Sequence, residues 1–335
     1  METIRQLFSM TDRPAFCVED GIITAVNDAA AARQLHPGEP LAPLLRSGRE
    51  ALSEFTQGFL CLTLSLCGQD IPAMVTAMEG RLIFTLEPEQ VREELRLLAL
   101  ASEALREPLG DVMSLVENLQ ADPDQLAQVS RGLHRMLRLI GNMTPHPKSR
   151  MVLMDVNELL RELWDRSMSV CESRGIEFRF VPHDTPVYSL VDRELLERAF
   201  YNLLSNAIRH AERGSISLQL RMSRKQYQIC LYNSGSTLSR MGQDPFAGFL
   251  REPGMGAPGR GMGMGLRLVH SAASVHGGSV LMTESSKGGV QVVMSLPVQQ
   301  DVSQVKTPRL QISYAGDHDP MLVELSDVLP PEFYR

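Results

Sequence analysis

The stretch from Leu195 to Ala211, LLERAFYNLLSNAIRHA, constrains this chain more than any other. At about 100° per residue it forms a helix with Leu196, Phe200, Leu203, Leu204 and Ala207 on one face. Asn202, Asn206, Arg209 and His210 gather on the other face. Two carboxamides one turn apart, followed by cationic groups, suit a hydrated Mg²⁺ and phosphates. Amide oxygens accept the metal or its waters, and a guanidinium offers forked donors to phosphate. Taken alone, the same spacing also fits an ordinary amphipathic helix with a solvated polar face.

A second segment, Pro258 to Val269, reads PGRGMGMGLRLV. Gly259, Gly261, Gly263 and Gly265 alternate before a helix begins. Glycine lets backbone approach a polyphosphate closely, and free N–H groups at a helix start attract anions. No strand leads directly into the run and no Gly-Lys-Ser/Thr follows it, so neither the Rossmann fingerprint nor the Walker loop fits.

In this order, with strand-like SISLQLRM, YQICLY, SVLMT and VQVVMSL around them, the two segments resemble the ATP-binding domain of sensor histidine kinases, in the GHKL (Bergerat-fold) superfamily. Asn202-Leu-Leu-Ser-Asn206-Ala-Ile-Arg209-His210 is similar to the family's N box, and Gly261-Met-Gly263-Met-Gly265-Leu266 to its G2 box. Asp244-Pro-Phe246 with Phe249 resembles a weakened F box. His276-Gly277-Gly278-Ser279, and Gly288-Gly289 through Leu296-Pro297, resemble the closing helix turn and last strands. The resemblance implies ATP and Mg²⁺ as cofactors. Asn206 would chelate the metal and Asn202 would assist on the phosphate side. Arg209 and His210 would contact phosphate or ribose. Gly261, Gly263 and Gly265 would give backbone donors to the phosphates beside Leu266, and Arg260 is a candidate for an added charge by adjacency alone.

Departures from the family pattern are informative. Where the family carries an Asp-x-Gly-x-Gly segment for adenine, this chain has Asn233-Ser234-Gly235-Ser236-Thr237. Asn233 keeps an acceptor for the adenine amino group but loses the charge, which implies weakened rather than lost affinity. Asn202 stands where hydrolysing relatives place a water-activating Glu, and a carboxamide is no general base. Slow free ATP hydrolysis is the expectation.

Residues 88–147 read as two helices. A seam runs through Leu95, Leu98, Ser102, Leu105, Leu109, Val112, Val116 and Leu119, and repeats at Leu126, Val129, Leu133, Met136, Ile140 and Met143. The steps of three and four are the heptad signature. Pro145 and Pro147 end the second helix. Two such helices make an antiparallel hairpin, and two hairpins make a four-helix bundle, so a homodimer is expected. The resemblance extends here. In the family the first helix carries His-Glu-Leu-Arg-x-Pro-Leu, whose His accepts the phosphoryl group. This chain reads Ser102-Glu103-Ala104-Leu105-Arg106-Glu107-Pro108-Leu109. Glu103 stands at the acceptor position and Ala104 replaces the neighbouring acid. A carboxylate could form only a labile acyl phosphate, whereas imidazole forms a persistent phosphoramidate. His134, one residue past seam position Leu133, is the alternative acceptor, expected to be partly exposed.

Residues 1–87 read as a hairpin (PAFCVEDGIITAVN, turning at Asp20-Gly21), an alanine-rich helical piece and a meander of GFLCLTLSL, IPAMVTAM and RLIFTLE. The strand–Asp-Gly–strand–Asn-Asp-Ala-Ala order with a following Pro-Gly loop resembles a PAS sensor domain. Residues 300–335 match no motif, though RLQISYA and MLVELSDV are strand-like. A net charge of −7 without a basic block argues against nucleic acid as a partner. No apolar run approaches membrane length and no signal peptide is legible. Five scattered cysteines, without metal spacing, read as buried thiols in a reducing cytoplasm.

The fold expected is therefore a multidomain α+β chain. It comprises a PAS-like α/β sensor over 1–87, an antiparallel helical hairpin with a degenerate phosphoacceptor over 88–147, a Bergerat-fold α/β sandwich over 148–299 and an extension over 300–335. The resemblance implies a two-component signalling protein with a response regulator or partner kinase. Two readings stand open: a histidine protein kinase, or a nucleotide-binding pseudokinase scaffold that regulates a partner without phosphoryl transfer. A GHKL Ser/Thr-type kinase or anti-sigma-like switch shares the ATP domain, but the hairpin's Leu-Arg-x-Pro-Leu counts against it.

Overall fold

Three dipeptides ending in glycine set the N-terminal sheet. Asp20-Gly21, Cys67-Gly68 and Glu79-Gly80 all have positive φ at both residues, the backbone that two-residue hairpins of matching twist require. They connect Ala15–Glu19 (β1) to Ile22–Val26 (β2), Phe59–Leu66 (β3) to Gln69–Met78 (β4), and β4 to Arg81–Leu86 (β5). A short helix, Asp28–Ala31 (α1), is capped by the Asn27 side chain, and Arg49–Ser53 (α2) follows. Cys67, at a hairpin tip, is exposed rather than buried as expected; the other four cysteines are buried. The computed structural model describes residues 8, 11–143, 150–211, 214–223, 225–235, 264–285, 288–298 and 318–335.

Glu89–Glu117 (α3) and Pro123–Met143 (α4) follow. Ser102 meets Met143, while Leu109 and Met113 pack with Leu133, Leu137 and Ile140, so the two helices run antiparallel. The expected single seam divides in two. Leu98, Ser102, Leu109 and Val116 are buried or half-buried, whereas Leu105, Val112 and Leu119 are exposed together with Leu97, Leu100 and Leu115. On α4, Val129 and Met136 are likewise exposed. The Leu95 side chain lies outside the described residues. One neighbouring helix covers only one stripe of α3, and a sequence pattern cannot say which of two adjacent stripes that will be.

Val156–Ser173 (α5), Arg193–His210 (α6) and Met264–Val275 (α7) pack on a sheet of Glu177–Val181 (β7), Ser215–Ser223 (β9), Gln226–Asn233 (β10), Ser279–Glu284 (β11) and Val290–Pro297 (β12). Val152–Asp155 (β6) and Tyr188–Val191 (β8), both missed in the sequence, form a separate two-stranded ladder. Asp192 caps α6 by accepting from the Leu195 N–H, and its own N–H donates to His276 Nε2 at 2.9 Å. MLVELSDV is not a strand: Pro320–Glu324 forms a helical turn (α8), because Asp319 caps it and Pro320 suits its first position. RLQISYA lies outside the described residues.

The two sheets are one. Their common strand order is β2-β1-β5-β4-β3-β11-β12-β10-β9-β7. The join is antiparallel, with Val280 opposite Cys61, Leu281 opposite Leu60 and Met282 opposite Phe59. This explains why β3 is apolar nearly throughout: it is buried along most of its length. At the join, a Cβ on Gly58 would lie 2.2 Å from the Met282 carbonyl oxygen, and φ there is +93°. His270 on α7 is buried and hydrogen-bonds the Leu62 backbone; burial pushes its pKa down to about 4.

Gly58→Ala is expected to cost about 2 kcal/mol or more through combined strain and overlap, read by chemical denaturation as a lowered midpoint. His270 is neutral in the folded protein, so protons bind preferentially to the unfolded chain below pH 6.5. Its contribution to stability is complete above that value and lost as pH falls toward 4. The melting-temperature advantage of wild type over His270→Leu should therefore shrink between pH 6.5 and 4.5; a constant difference contradicts this.

Candidate functional site

Helix α6 is the centre of the site. Leu196, Phe200, Leu203, Leu204 and Ala207 enter the core, as expected. The opposite face is not a solvated surface, because other elements cover it. Asn202 and Arg198 are buried, and Asn206, Arg209 and His210 are half-buried.

Asn206 and His210 line a cavity with Asn233 at the end of β10 and Leu266 on α7; its walls are apolar, including Leu231, Met282, Val290 and Val292. The Asn206 carboxamide makes no hydrogen bond to a described residue. Asn233 is buried where β10 runs beside β12. The backbone closes tightly around it. A Cβ on Gly289 would sit 2.1 Å from the Asn233 carbonyl oxygen, and one on Gly235, with φ +122°, would sit 2.1 Å from that of His210. Gly265 opens α7 against Asn202: a Cβ there would lie 2.7 Å from Asn202 Oδ1. Arg260, Gly261 and Gly263 lie outside the described residues, as do Asp244, Phe246 and Phe249.

Asn202 has a different environment from Asn206. Its Nδ2 donates to Glu324 Oε2 at 2.8 Å and to the Arg198 carbonyl at 2.9 Å; its Oδ1 accepts from Arg138 Nη2 at 3.1 Å. Arg209 donates to Asp327 Oδ2 at 3.2 Å. Arg135 and Arg138 also reach Asp327, at 3.0 and 2.8 Å. These cations hold the Asp327 carboxyl below its ordinary pKa despite its burial. Neither Glu324 nor Asp327 carried a sequence signal, since both come from a segment that matches no motif.

The two acceptor candidates sit in opposite surroundings. Glu103 faces solvent, its side chain 61% exposed and 3.7 Å from Arg106. His134 is buried, contrary to the partial exposure expected. Its ring lies 4.9 Å from that of Tyr334 and 5.5 Å from that of His318, with Nδ1 2.8 Å from the Ser130 carbonyl. Burial lowers its pKa. The physical reason is the C-terminal segment, which lies over α4 at this point.

Residues 191–300 match the family model of the histidine kinase-, DNA gyrase B-, and HSP90-like ATPase. Among curated relatives, it is 27% identical over 231 residues to the alginate biosynthesis sensor protein KinB of Pseudomonas aeruginosa, covering 63% of this chain and 38% of that protein. It is 29% identical over 209 residues to the sensor histidine kinase CusS of Escherichia coli K12, covering 60% and 40%. The chain thus spans about two fifths of the length of these relatives. Among solved structures, full-length ShkA in complex with AMPPNP aligns with a TM-score of 0.48 at 19% identity, covering 61% of this chain and 46% of that one. No helix of the described residues is long and apolar enough to cross a membrane.

Gly265→Ala is expected to push Asn202 off Arg138 at a cost of about 1–3 kcal/mol. Denaturant unfolding should show a lowered midpoint with an unchanged slope; an unaltered midpoint contradicts the close approach of α7 to Asn202.

Proposed function

We propose that this chain is an ATP-binding signalling protein of the sensor histidine kinase type. Its nucleotide site is the cavity bounded by α6, β10 and α7. The observation that carries this reading is the convergence of Asn206, His210, Asn233 and Leu266 on one cavity. These residues are separated by up to 60 positions in the sequence and belong to three motifs. The donor set fits the group. Apolar walls suit the faces of a purine, and the Asn233 carbonyl oxygen suits its exocyclic amine. Asn206, uncommitted to any described partner, would hold Mg²⁺ through its amide oxygen. ATP brings the transferable phosphoryl group. The chain's own residues bind and orient it: Asn233 selects the base, Asn206 and His210 fix the metal and phosphate side, and Gly265 lets the start of α7 approach without a side chain.

The exposed stripe of Leu97, Leu100, Leu105, Val112 and Leu115 on α3, with Leu119 just past its end and Val129 and Met136 on α4, supports a homodimer through a four-helix bundle. A PAS-like input domain over 1–87, and a response regulator or partner kinase downstream, complete the reading.

The second reading, a nucleotide-binding scaffold without phosphoryl transfer, is favoured by one pair of observations. Glu103 occupies the solvent-facing acceptor position, while the only histidine among the hairpin's described residues, His134, is buried beneath Tyr334. On this reading, bound nucleotide changes the protein's shape rather than its covalent state.

Asn206→Ala should weaken Mg-dependent ATP binding by about 10–100-fold, because a ligand to a charged group is worth about 1.5–3 kcal/mol. Isothermal calorimetry with and without Mg²⁺ reads this, and unchanged affinity refutes the site. With labelled ATP, wild-type protein should carry no acid-labile, alkali-stable phosphate if the scaffold reading holds; stable label of that kind would establish phosphohistidine and exclude it. Glu103→His should gain such label if the hairpin can reach the nucleotide, and a variant that stays unlabelled while binding ATP contradicts that reach.

A further inference from the structure

Residues 318–335 form a wedge between α4 and α6. Val323 joins the apolar cluster of the α3–α4 pair, whereas Leu325, Val328, Leu329 and Tyr334 join the core around α6. The wedge carries two carboxylates into a cluster of cations. Glu324, fully buried, accepts from Arg198 Nε at 3.0 Å and from Asn202 Nδ2 at 2.8 Å, and lies 3.4 Å from Arg138 Nε. Asp327 receives Arg135, Arg138 and Arg209. Four guanidinium groups therefore face two carboxylates.

We propose that this C-terminal segment is an internal anionic competitor of the nucleotide's phosphates. The inference rests on the ATP-binding reading above. Both polar atoms of the Asn202 carboxamide are committed while the segment is docked, and Arg209 is held by Asp327. These are the kinds of donor a polyphosphate recruits: carboxamide N–H and forked guanidinium. The chain's own carboxylates hold both residues off the phosphate side, leaving Asn206, His210 and Asn233 to the rest of the nucleotide. Because the cluster has more positive than negative charge, a polyphosphate entering from the neighbouring cavity competes for it electrostatically. The same docking adds Glu324 and Asp327 to the direct Arg138–Asn202 hydrogen bond between hairpin helix α4 and α6, so release of the segment weakens the tie between the hairpin and the ATPase domain. Nucleotide binding and the strength of that tie are thereby coupled.

The test uses the full-length chain. Calorimetry measures Mg·ATP and adenosine affinity for wild type, Asp327→Asn and Tyr334→Ala. Asp327→Asn weakens the carboxylate's hold on the arginines. Tyr334→Ala removes the packing on His134 without touching any charge, and so carries the test if the first variant fails to fold. Both variants should bind Mg·ATP about tenfold tighter than wild type, because the binding-competent fraction rises, with adenosine affinity unchanged. Equal Mg·ATP affinity in all three proteins overturns the competitor while leaving the nucleotide site standing. Equal gains for ATP and adenosine also overturn it, since the segment would then oppose the base rather than the phosphates. Binding of neither ligand to any of the three overturns the nucleotide reading itself.

Discussion

Helix α6 has almost no free surface, and the arrangement around it follows from that constraint. Its apolar side closes the sandwich against the sheet. Its polar side carries Arg198, Asn202, Arg209 and His210, groups that are costly to bury unpaired. Arg198 and Asn202 are satisfied by Glu324, and Asn202 additionally by Arg138. Removing one member of such a cluster leaves a buried charge uncompensated, a loss of about 3–5 kcal/mol in comparable cases. The C-terminal segment is thus part of the folded unit even though it is distant in sequence from the helix it completes.

A second constraint is the continuity of the sheet. An exposed strand edge is a template for pairing with another chain, and β3 and β11 remove each other's edges by pairing. The N-terminal unit is therefore coupled through hydrogen bonds to the strand that follows α7. Thr63 and Ser274 reinforce the join with a 2.7 Å hydrogen bond, and His270 reaches Leu62 from the same helix. Since α7 begins at the glycine-rich segment, a displacement of the N-terminal sheet has a short mechanical route to the cavity.

Much of this was legible in the sequence where local chemistry decides. The Asp20-Gly21 turn and the apolar meander each depend on residues close together in the chain. The cavity residues were legible because Asn206, His210, Asn233 and Leu266 belong to ordered motifs. Other features depend on long-range contacts. Nothing in MLVELSDV says that Glu324 will meet Arg198, 126 positions away, or that Tyr334 will bury His134. The alternation in that stretch suggested a strand, but Asp319 and Pro320 start a helix. The seam of α3 misled for a related reason: two apolar stripes lie side by side, and only the packing of α4 distinguishes them.

Hydrogen exchange with and without Mg·ATP measures directly where a nucleotide contacts the chain. Protection should rise at the end of α6 around Asn206 to His210, at Leu231 to Asn233, and at the start of α7 near Leu266. Protection confined instead to the junction lined by Cys61, Met74 and His270, with α6 and β10 unchanged, would contradict the nucleotide site.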